Sequence, residues 1–284
     1  MTARLAIYPD VASRASDVLE RLAVAGVDVE LVGHDPGDGS GPRDPLQAVH
    51  DRTLDLALVG LRALRGSVAD GLTTVAVLPR QDSRDVLVTL RGEPAPLAGM
   101  RSGARIGVSG ARRLAFLKAH RRDVEAVLML DGGGEGLREG EGALDAAVLG
   151  AVEARQAGLA DRIAEALDPK AWLPEPGEGA LALVARHPIA EATALDHLPT
   201  RTALRAELAL MDALDADADA PLGSLAQPSG RWIRLWAAGA SADGARLVRS
   251  DLTGPLDEPE ALGAAVAKQL TERGIGFVLE AAGG

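Results

Sequence analysis

Residues 105–113 read Arg-Ile-Gly-Val-Ser-Gly-Ala-Arg-Arg, and this stretch predicts a buried strand that turns directly into a helix. Ile106 and Val108 are its apolar strand positions, and the strand breaks at Ser109-Gly110. Apolar residues then recur at helical spacing as far as His120. A turn of this kind leaves backbone N–H groups unpaired at the helix start, beside the positive end of the helix dipole. The stretch is therefore one strand–turn–helix unit that offers a place for an anion.

Arg112 and Arg113 stand in the first turn of this predicted helix. Guanidinium groups bind planar carboxylates through paired hydrogen bonds. Basic residues in a first turn oppose the helix dipole, so a bound phosphate or carboxylate would relieve that conflict. The alternative is that both arginines are solvated surface charge, or pair with neighbouring acids. The local sequence leaves both interpretations open.

The composition excludes several classes of function. The chain has 284 residues and a formal net charge of -11, and aromatic residues make up 2% of it. This balance disfavours attraction to nucleic acid or to an anionic membrane, and it provides no basic surface with aromatic rings that stack bases. The absence of cysteine removes disulfides, thiolate zinc sites and thiol nucleophiles. We therefore expect neither nucleic acid nor a membrane as a partner.

The first residues of the sequence contain no long apolar core for secretion, and no run approaches the ~20 apolar residues that span a bilayer. A cytoplasmic location is therefore expected. Asp215, Asp217 and Asp219 alternate with alanine and would share one side of an extended segment. They are candidates for binding a hard cation, although a solvated acidic loop is the commoner case. The five histidines show no spacing typical of metal ligands.

The order of predicted elements indicates an α/β fold. Segments 4–8, 11–25 and 27–32 alternate strand, helix and strand, which argues for a parallel sheet. Residues 151–167 are predicted as a helix that is interrupted near Gly158.

The last third of the sequence has a different pattern. Strands at 231–237 and 245–251 are separated by a turn and predict a hairpin, and a helix follows at 259–272. This part is therefore predicted to be a small α+β domain.

Six short motifs, taken in their order along the sequence, give a second indication of the fold and function. Three of them read Arg80-x-Asp-x-Arg-Asp-x-Leu-Val88, Gly107-Val-Ser-Gly-Ala-Arg-Arg113 and Pro174-x-x-Gly-Glu-Gly-Ala180. The others lie at 29–32, 54–59 and 202–207, the last being followed by Pro221-Leu-Gly223. Together they resemble the motifs of the hydroxymethylbilane synthase, or porphobilinogen deaminase, family of tetrapyrrole and porphyrin biosynthesis. The resemblance runs over nearly the whole chain.

The resemblance implies three domains. Two would be α/β domains similar to periplasmic binding proteins, facing each other across a cleft, and the third would be a small C-terminal α+β domain. The expected boundaries are 1–78 with 176–193 for the first domain, 84–175 for the second, which carries the anion-site helix, and 198–284 for the third, which carries the cofactor loop.

The resemblance also implies a chemistry. The family builds a linear tetrapyrrole from four porphobilinogen units on a dipyrromethane cofactor, which is attached by a thioether to a loop cysteine. An aspartate works on the pyrrole nitrogens and the leaving amine, while arginines and Ser/Thr groups bind the acetate and propionate arms.

The sequence differs from the family at the positions that hold the cofactor and carry out the reaction. The cysteine position corresponds to Ala218, so no dipyrromethane is expected to be attached covalently. The catalytic aspartate corresponds to Ala63, which cannot transfer a proton. The family's first-strand arginine falls near Tyr8, and Arg138 is the candidate to replace a later binding arginine. We therefore expect no catalytic residue of the family type.

The remaining candidates for binding a substrate or anion are Ser109, Arg112, Arg113, Arg62 and Arg84, with Glu178 as a weaker one. No metal and no cofactor are expected. Three functions stay open, and whether the chain is an enzyme stays open with them. The first is a catalytically silent relative that keeps an anion-binding cleft for a carboxylated pyrrole or other small anion, or that binds a tetrapyrrole-pathway enzyme.

The second open function is an active porphobilinogen-polymerising transferase with a non-covalently held cofactor. It would need a replacement carboxylate, for which Asp82 and Asp85 are the places to look. The third is a small-anion-binding protein of unrelated role.

Overall fold

The computed structural model describes residues 2–7, 15–32, 44–60, 71–129, 144–217 and 219–280. The chain divides into two compact units, residues 1–81 with 178–202 and residues 82–177 with 203–284. The three-domain division stays a prediction.

The strands are β1 (Ala3–Ile7), β2 (Val29–Val32), β3 (Leu56–Gly60), β4 (Thr73–Val77), β5 (Asp85–Thr89), β6 (Arg105–Val108), β7 (Glu125–Leu128), β8 (Ala146–Gly150), β9 (Ile163–Ala166), β10 (Leu181–Ala185), β11 (Leu222–Ser229), β12 (Trp232–Ala240) and β13 (Leu247–Pro255). The helices are α1 (Ala15–Val24), α2 (Pro45–His50), α3 (Gly110–His120), α4 (Ala151–Gln156), α5 (Ala190–Thr193), α6 (Leu198–Ala213), α7 (Pro259–Glu272) and α8 (Gly276–Glu280). Short 3-10 helices lie at Leu97–Gly99 and Ala160–Arg162. No helix in these described ranges is both long enough and apolar enough to cross a bilayer.

Two five-stranded sheets have the same topology. The first has the order β2-β1-β3-β10-β4, and the second has the order β7-β6-β8-β5-β9. In each sheet three strands are parallel, and a strand from elsewhere in the chain (β10 or β5) runs antiparallel to both of its neighbours. The α/β class is confirmed, and so is the parallel pairing predicted for the opening strand–helix–strand, while the inserted strands β10 and β5 make both sheets mixed.

Apolar strands form the core of each sheet. Every residue of β3 and of β10 is buried in the first unit, where Leu58 and Leu183 pack with Leu22 of α1. In the second unit, Ile106 of β6 and Phe116 of α3 lie in one buried cluster. Burying a side chain of this size contributes about 1.5–3 kcal/mol, so these runs determine which strands are central.

The C-terminal segment forms a three-stranded antiparallel sheet with the order β11-β12-β13, against which α7 packs. The predicted hairpin is confirmed as β12 and β13, and the predicted helix at 259–272 has the bounds of α7. The predicted α+β arrangement of this C-terminal part is thus confirmed, and β11 is an additional strand of the same sheet. The hairpin turn meets the last turn of α3, where Lys118 Nζ donates to the Ala242 carbonyl at 3.1 Å.

One predicted helix is confirmed only in its first part: α4 covers Ala151–Gln156 and the break near Gly158 is present, but the residues after the break do not continue the α-helix. The helix expected at 151–167 ends at Gln156, because Gly158 takes a φ of +67°, outside the helical region. Residues Ile163–Ala166 form β9 instead and pair with the outer edge of β5. Pairing with β5 gives the backbone N–H and C=O groups of β9 hydrogen-bond partners from a distant part of the sequence. A local sequence pattern does not reveal such partners.

Candidate functional site

The candidate site lies at one edge of the second sheet, where two parallel strands end. β6 ends at Val108 beside β8, which continues to Gly150, and Asp85 begins β5 opposite Gly150. The chain leaves β6 for β7 on one side, while β8 lies on the other side. Open α/β sheets bind ligands outside the carboxyl ends of their strands at such a switch point.

Ser109 and Gly110 make the bend between β6 and α3. Ser109 has extended backbone angles (φ -110°, ψ 139°), and Gly110 has a φ of +75°, which favours glycine. The Ser109 side chain does not cap the helix. Its Oγ accepts a hydrogen bond from Nη1 of Arg113 at 2.7 Å instead. The predicted strand–turn–helix unit is therefore present, and its serine orients an arginine.

Asp85 is the centre around which both arginines are arranged. Its side chain is 0% exposed, against 7% for Arg112 and 11% for Arg113. Nη2 of Arg112 lies 2.8 Å from Oδ2, and both Nε and Nη2 of Arg113 lie 3.0 Å from Oδ1. Nε1 of Trp172 donates to Oδ2 at 2.8 Å. These four donors occupy both carboxylate oxygens, so Asp85 fixes the two guanidinium groups rather than facing solvent.

The Asp85 carboxyl is held in its charged form. Burial by itself raises its pKa, but attraction to Arg112 and Arg113, with hydrogen bonds from Arg112 and Trp172, outweighs burial and keeps the pKa below its ordinary value. An anionic carboxylate whose oxygens are all engaged does not serve as a proton donor near neutral pH. Asp85 is therefore a charge partner for the arginines.

Arg112 and Arg113 make further contacts beyond Asp85. Nη1 of Arg112 donates to the Leu173 carbonyl at 2.8 Å, which ties α3 to the segment before the Pro174 motif. Nε of Arg112 is buried and has no hydrogen-bond partner within the described part of the chain. Nη1 of Arg113 lies 3.6 Å from Oε2 of Glu153, whose side chain is 26% exposed. Among these charged side chains Glu153 is the most exposed, so it marks the more open side of the site.

Arg84 pairs with a different carboxylate. Its Nη2 lies 2.8 Å from Asp82, which also receives Nη2 of Arg155 at 3.2 Å. The hydrogen bonds from Arg84 lower the pKa of Asp82 well below its usual range, despite partial burial. Asp82 is therefore also anionic at neutral pH, and neither of the two proposed replacement carboxylates is poised to hold a proton.

A buried carboxylate also anchors the Pro174–Ala180 motif. Glu207 on α6 accepts the backbone N–H of Gly177 at 2.6 Å and that of Ala226 at 2.7 Å. Its side chain is fully buried. This contact links the motif at 202–207 to the motif at 174–180, so their joint occurrence in the sequence has a structural reason.

The structure brings together three of the predicted site residues: Ser109, Arg112 and Arg113. Arg84 stands in the separate Asp82 cluster. Glu178 belongs to the first unit, where its backbone carbonyl accepts a hydrogen bond from Nε of Arg80 at 2.8 Å.

Five other positions of the sequence analysis lie outside the described residues: Tyr8, Arg62, Ala63, Arg138 and Ala218. Within the part of the chain that the structure describes, no group of three or more His, Asp or Glu side chains is placed to hold a metal. Oδ1 of Asp217 accepts the backbone N–H of Asp219 at 2.9 Å, a local contact of the kind that stabilises a turn.

Sequence reasoning missed Trp172 and Glu153, and it considered Asp85 only as an acid. Asp85 lies in the Arg80–Val88 motif, so that motif carried a signal. Trp172 is separated from Asp85 by 87 positions, and no local pattern connects the two.

A family model and the sequence relatives of this chain name the same family. A family model described as "Porphobilinogen deaminase, dipyromethane cofactor binding domain" matches residues 45–194. The chain is 36% identical over 238 residues to a porphobilinogen deaminase of Desulforudis audaxviator, covering 82% of this chain and 76% of that protein. It is 36% identical over 242 residues to one of Gloeobacter violaceus, covering 82% and 74%.

Among solved structures, the chain is similar to a periplasmic substrate-binding protein of an ABC transporter from Coxiella burnetii. The TM-score is 0.45 at 16% identity, covering 68% of this chain and 89% of that one. The family model and the sequence relatives carry the assignment: this chain belongs to the porphobilinogen deaminase family.

Proposed function

We propose that this chain is a member of the family that does not perform the usual dipyrromethane reaction and that binds a carboxylate-bearing small molecule at the Ser109–Arg113 segment. The observation that carries the first half is that the sequence contains no cysteine. A thioether to the cofactor needs a thiol, and the resemblance aligns its position with Ala218.

The acid–base groups support the same proposal. The resemblance aligns the catalytic aspartate with Ala63, and alanine neither donates nor accepts a proton. Asp82 and Asp85 are the candidates for a replacement acid, but both are ion-paired with a lowered pKa. Neither is arranged to protonate a leaving amine. A transferase with a loosely held cofactor would need another acid.

The second half of the proposal concerns the ligand. Arg112 and Arg113 are held rigidly by Asp85, and Ser109 stands beside Arg113. Fixed guanidinium groups bind a carboxylate with little loss of side-chain freedom. The relatives are named for porphobilinogen, so we propose a carboxylated pyrrole as the ligand class. Among the residues that the structure describes, Nε of Arg112 has no acceptor, so it keeps donor capacity in the buried part of the cluster.

The first experiment is incubation of the purified protein with porphobilinogen. Substrate consumption and acid-developed uroporphyrin are measured against a no-protein control, and the intact mass is recorded before and after. We expect no turnover and no gain in mass. Turnover well above the control would overturn the silent-relative proposal and would support a mechanism with a non-covalently held cofactor.

Binding is tested separately by calorimetry with porphobilinogen. Arg113→Lys keeps the charge but loses the paired hydrogen bonds, so it should weaken binding by about tenfold or more. Ser109→Ala is a milder second variant. Arg234→Lys is the matched control, because Arg234 pairs with Asp251 in the C-terminal sheet. Unchanged binding by well-folded Arg113→Lys and Ser109→Ala would contradict the proposed ligand site.

A further inference from the structure

Two carboxylates of the protein, Asp85 and Glu153, already lie against the Ser109–Arg113 segment. Arg113 turns Nε and Nη2 toward Asp85, and it turns Nη1 toward Ser109 and Glu153. Asp85 is fully buried, whereas about a quarter (26%) of the Glu153 side chain is exposed. The two acids therefore differ in position: Asp85 forms the floor of the arginine cluster, and Glu153 lies at its more open side.

The Glu153 contact is the weaker of the two. Its Oε2 lies 3.6 Å from Nη1 of Arg113, beyond the range of about 2.7–2.9 Å of a charge-assisted hydrogen bond. The same oxygen accepts the backbone N–H of Gly150 at 3.0 Å. A ligand carboxylate that reaches hydrogen-bond distance from Nη1 would therefore make a closer partner than Glu153 does.

The charges lead to the same conclusion. Two buried guanidinium groups, Arg112 and Arg113, stand against two carboxylates, Asp85 and Glu153. Glu153 therefore places a negative charge within a few ångströms of an anion that arrives at Arg113. Removing the charge of Glu153 would make this poorly solvated place more positive, and that change favours an anion.

We propose that Glu153 is the resident carboxylate of this site, and that a ligand carboxylate binds by replacing it on Nη1 of Arg113. Glu153 thereby tunes the affinity of the site: a carboxylate arm, such as acetate or propionate, binds only by displacing a resident carboxylate, so the charge of Glu153 weakens its binding. The inference rests on the proposed function, in that it assigns a role to a residue of the same site. Glu153 is a positioning and competing group, not a catalytic one.

The test compares Glu153→Gln with the intact protein in propionate binding. Glutamine keeps an oxygen that can accept the Gly150 N–H but removes the charge. We expect propionate to bind on the order of tenfold more tightly to the variant, because a like charge close to the ligand is lost. Binding is followed by calorimetry and by fluorescence of Trp172, whose Nε1 contacts Asp85 in the same cluster.

Two controls separate the effect of local charge from general effects. Asp161→Asn removes the same charge at an exposed position of the following 3-10 helix and should leave binding unchanged. Propionamide has the shape of propionate without its charge, so Glu153→Gln should not improve its binding. A tenfold gain confined to propionate and to Glu153→Gln supports the inference.

The outcomes distinguish this inference from the proposed function. Equal propionate affinity of the intact protein and Glu153→Gln, with binding measurable in both, overturns the role of Glu153 and leaves the carboxylate site standing. An equal gain for propionamide or for Asp161→Asn also overturns it. Binding by Glu153→Gln alone supports the inference while counting against a ligand for the intact protein, and no binding by either overturns both.

Discussion

Replacing Asp85 by asparagine removes a negative charge that two buried guanidinium groups share. The side chain keeps its size and one acceptor oxygen, so the change is mainly one of charge. Arg112 and Arg113 would remain at 7% and 11% exposure with nothing at the floor of the cluster to balance them. Removing one partner of a buried ion pair costs about 3–5 kcal/mol. We expect the free energy of unfolding to fall by that amount.

The measurement is urea unfolding at neutral pH, followed by tryptophan fluorescence and by circular dichroism. Asp82→Asn is the matched control, since it removes one carboxylate from the same segment and changes net charge equally. Asp82 is 21% exposed and its partners Arg84 and Arg155 are about half exposed, at 43% and 50%. Pairs of this kind contribute about 0–1 kcal/mol, so the control should lose much less stability.

The pH dependence gives a second check on the same residue. Because the folded-state pKa of Asp85 is lowered, its contribution is fully present above the unfolded-state pKa and is lost as pH falls through the folded-state pKa. The difference between intact protein and Asp85→Asn should therefore shrink on acidification. A loss below about 1 kcal/mol at neutral pH, or one no larger than that of Asp82→Asn, would refute the assigned role of Asp85.

Two further substitutions probe contacts that hold the second unit together. In Gly244→Ala, the new Cβ would lie 2.4 Å from the Lys118 carbonyl carbon, at a φ of +71°, and we expect a loss of ~2 kcal/mol or more in thermal unfolding. In Glu207→Gln, the backbone N–H groups of Gly177 and Ala226 lose a charged acceptor, which should cost about 1.5–3 kcal/mol in urea unfolding.

Each of these substitutions has a control within the same unit. Gly230→Ala also places alanine at a positive φ, +60°, but into open space, so it isolates backbone strain from the clash. If Gly244→Ala matches Gly230→Ala, the contact with α3 is not what fixes that turn. Glu260→Gln changes an exposed partner of Arg205 and should have little effect. A Glu207→Gln variant as stable as this control would contradict the anchoring of the Pro174 motif.

Local patterns predicted most elements well where the signal was strong. The strand–turn–helix at 105–120 is present as β6 and α3, and the helix at 259–272 has the bounds of α7. The prediction for 151–167 holds up to the interruption near Gly158 and fails after it, where the chain forms β9. Alanine-rich sequence favours a helix, but Gly158 ends it, and β9 gains backbone hydrogen bonds from the edge of β5. Such gains come from residues far away in the sequence.

The candidate site was also predictable from the sequence only in part. Ser109, Arg112 and Arg113 stood out from the sequence because two basic residues at a helix start conflict with the helix dipole. The sequence left open whether those arginines face solvent, an anion or nearby acids. The structure supplies Asp85 from β5 and Trp172 from a later segment, each at 2.8–3.0 Å from the groups they contact.

The sequence by itself determined the α/β class, the order of most elements, and the absence of any thiol for a covalent cofactor, because these depend on local spacing and composition. Only the tertiary structure decided that Asp85 neutralises the arginine pair and that Glu153 shares Arg113. Charge pairing depends on separations of a few ångströms between groups dozens of positions apart. Strand order and register set those separations, and one strand's local pattern does not contain them.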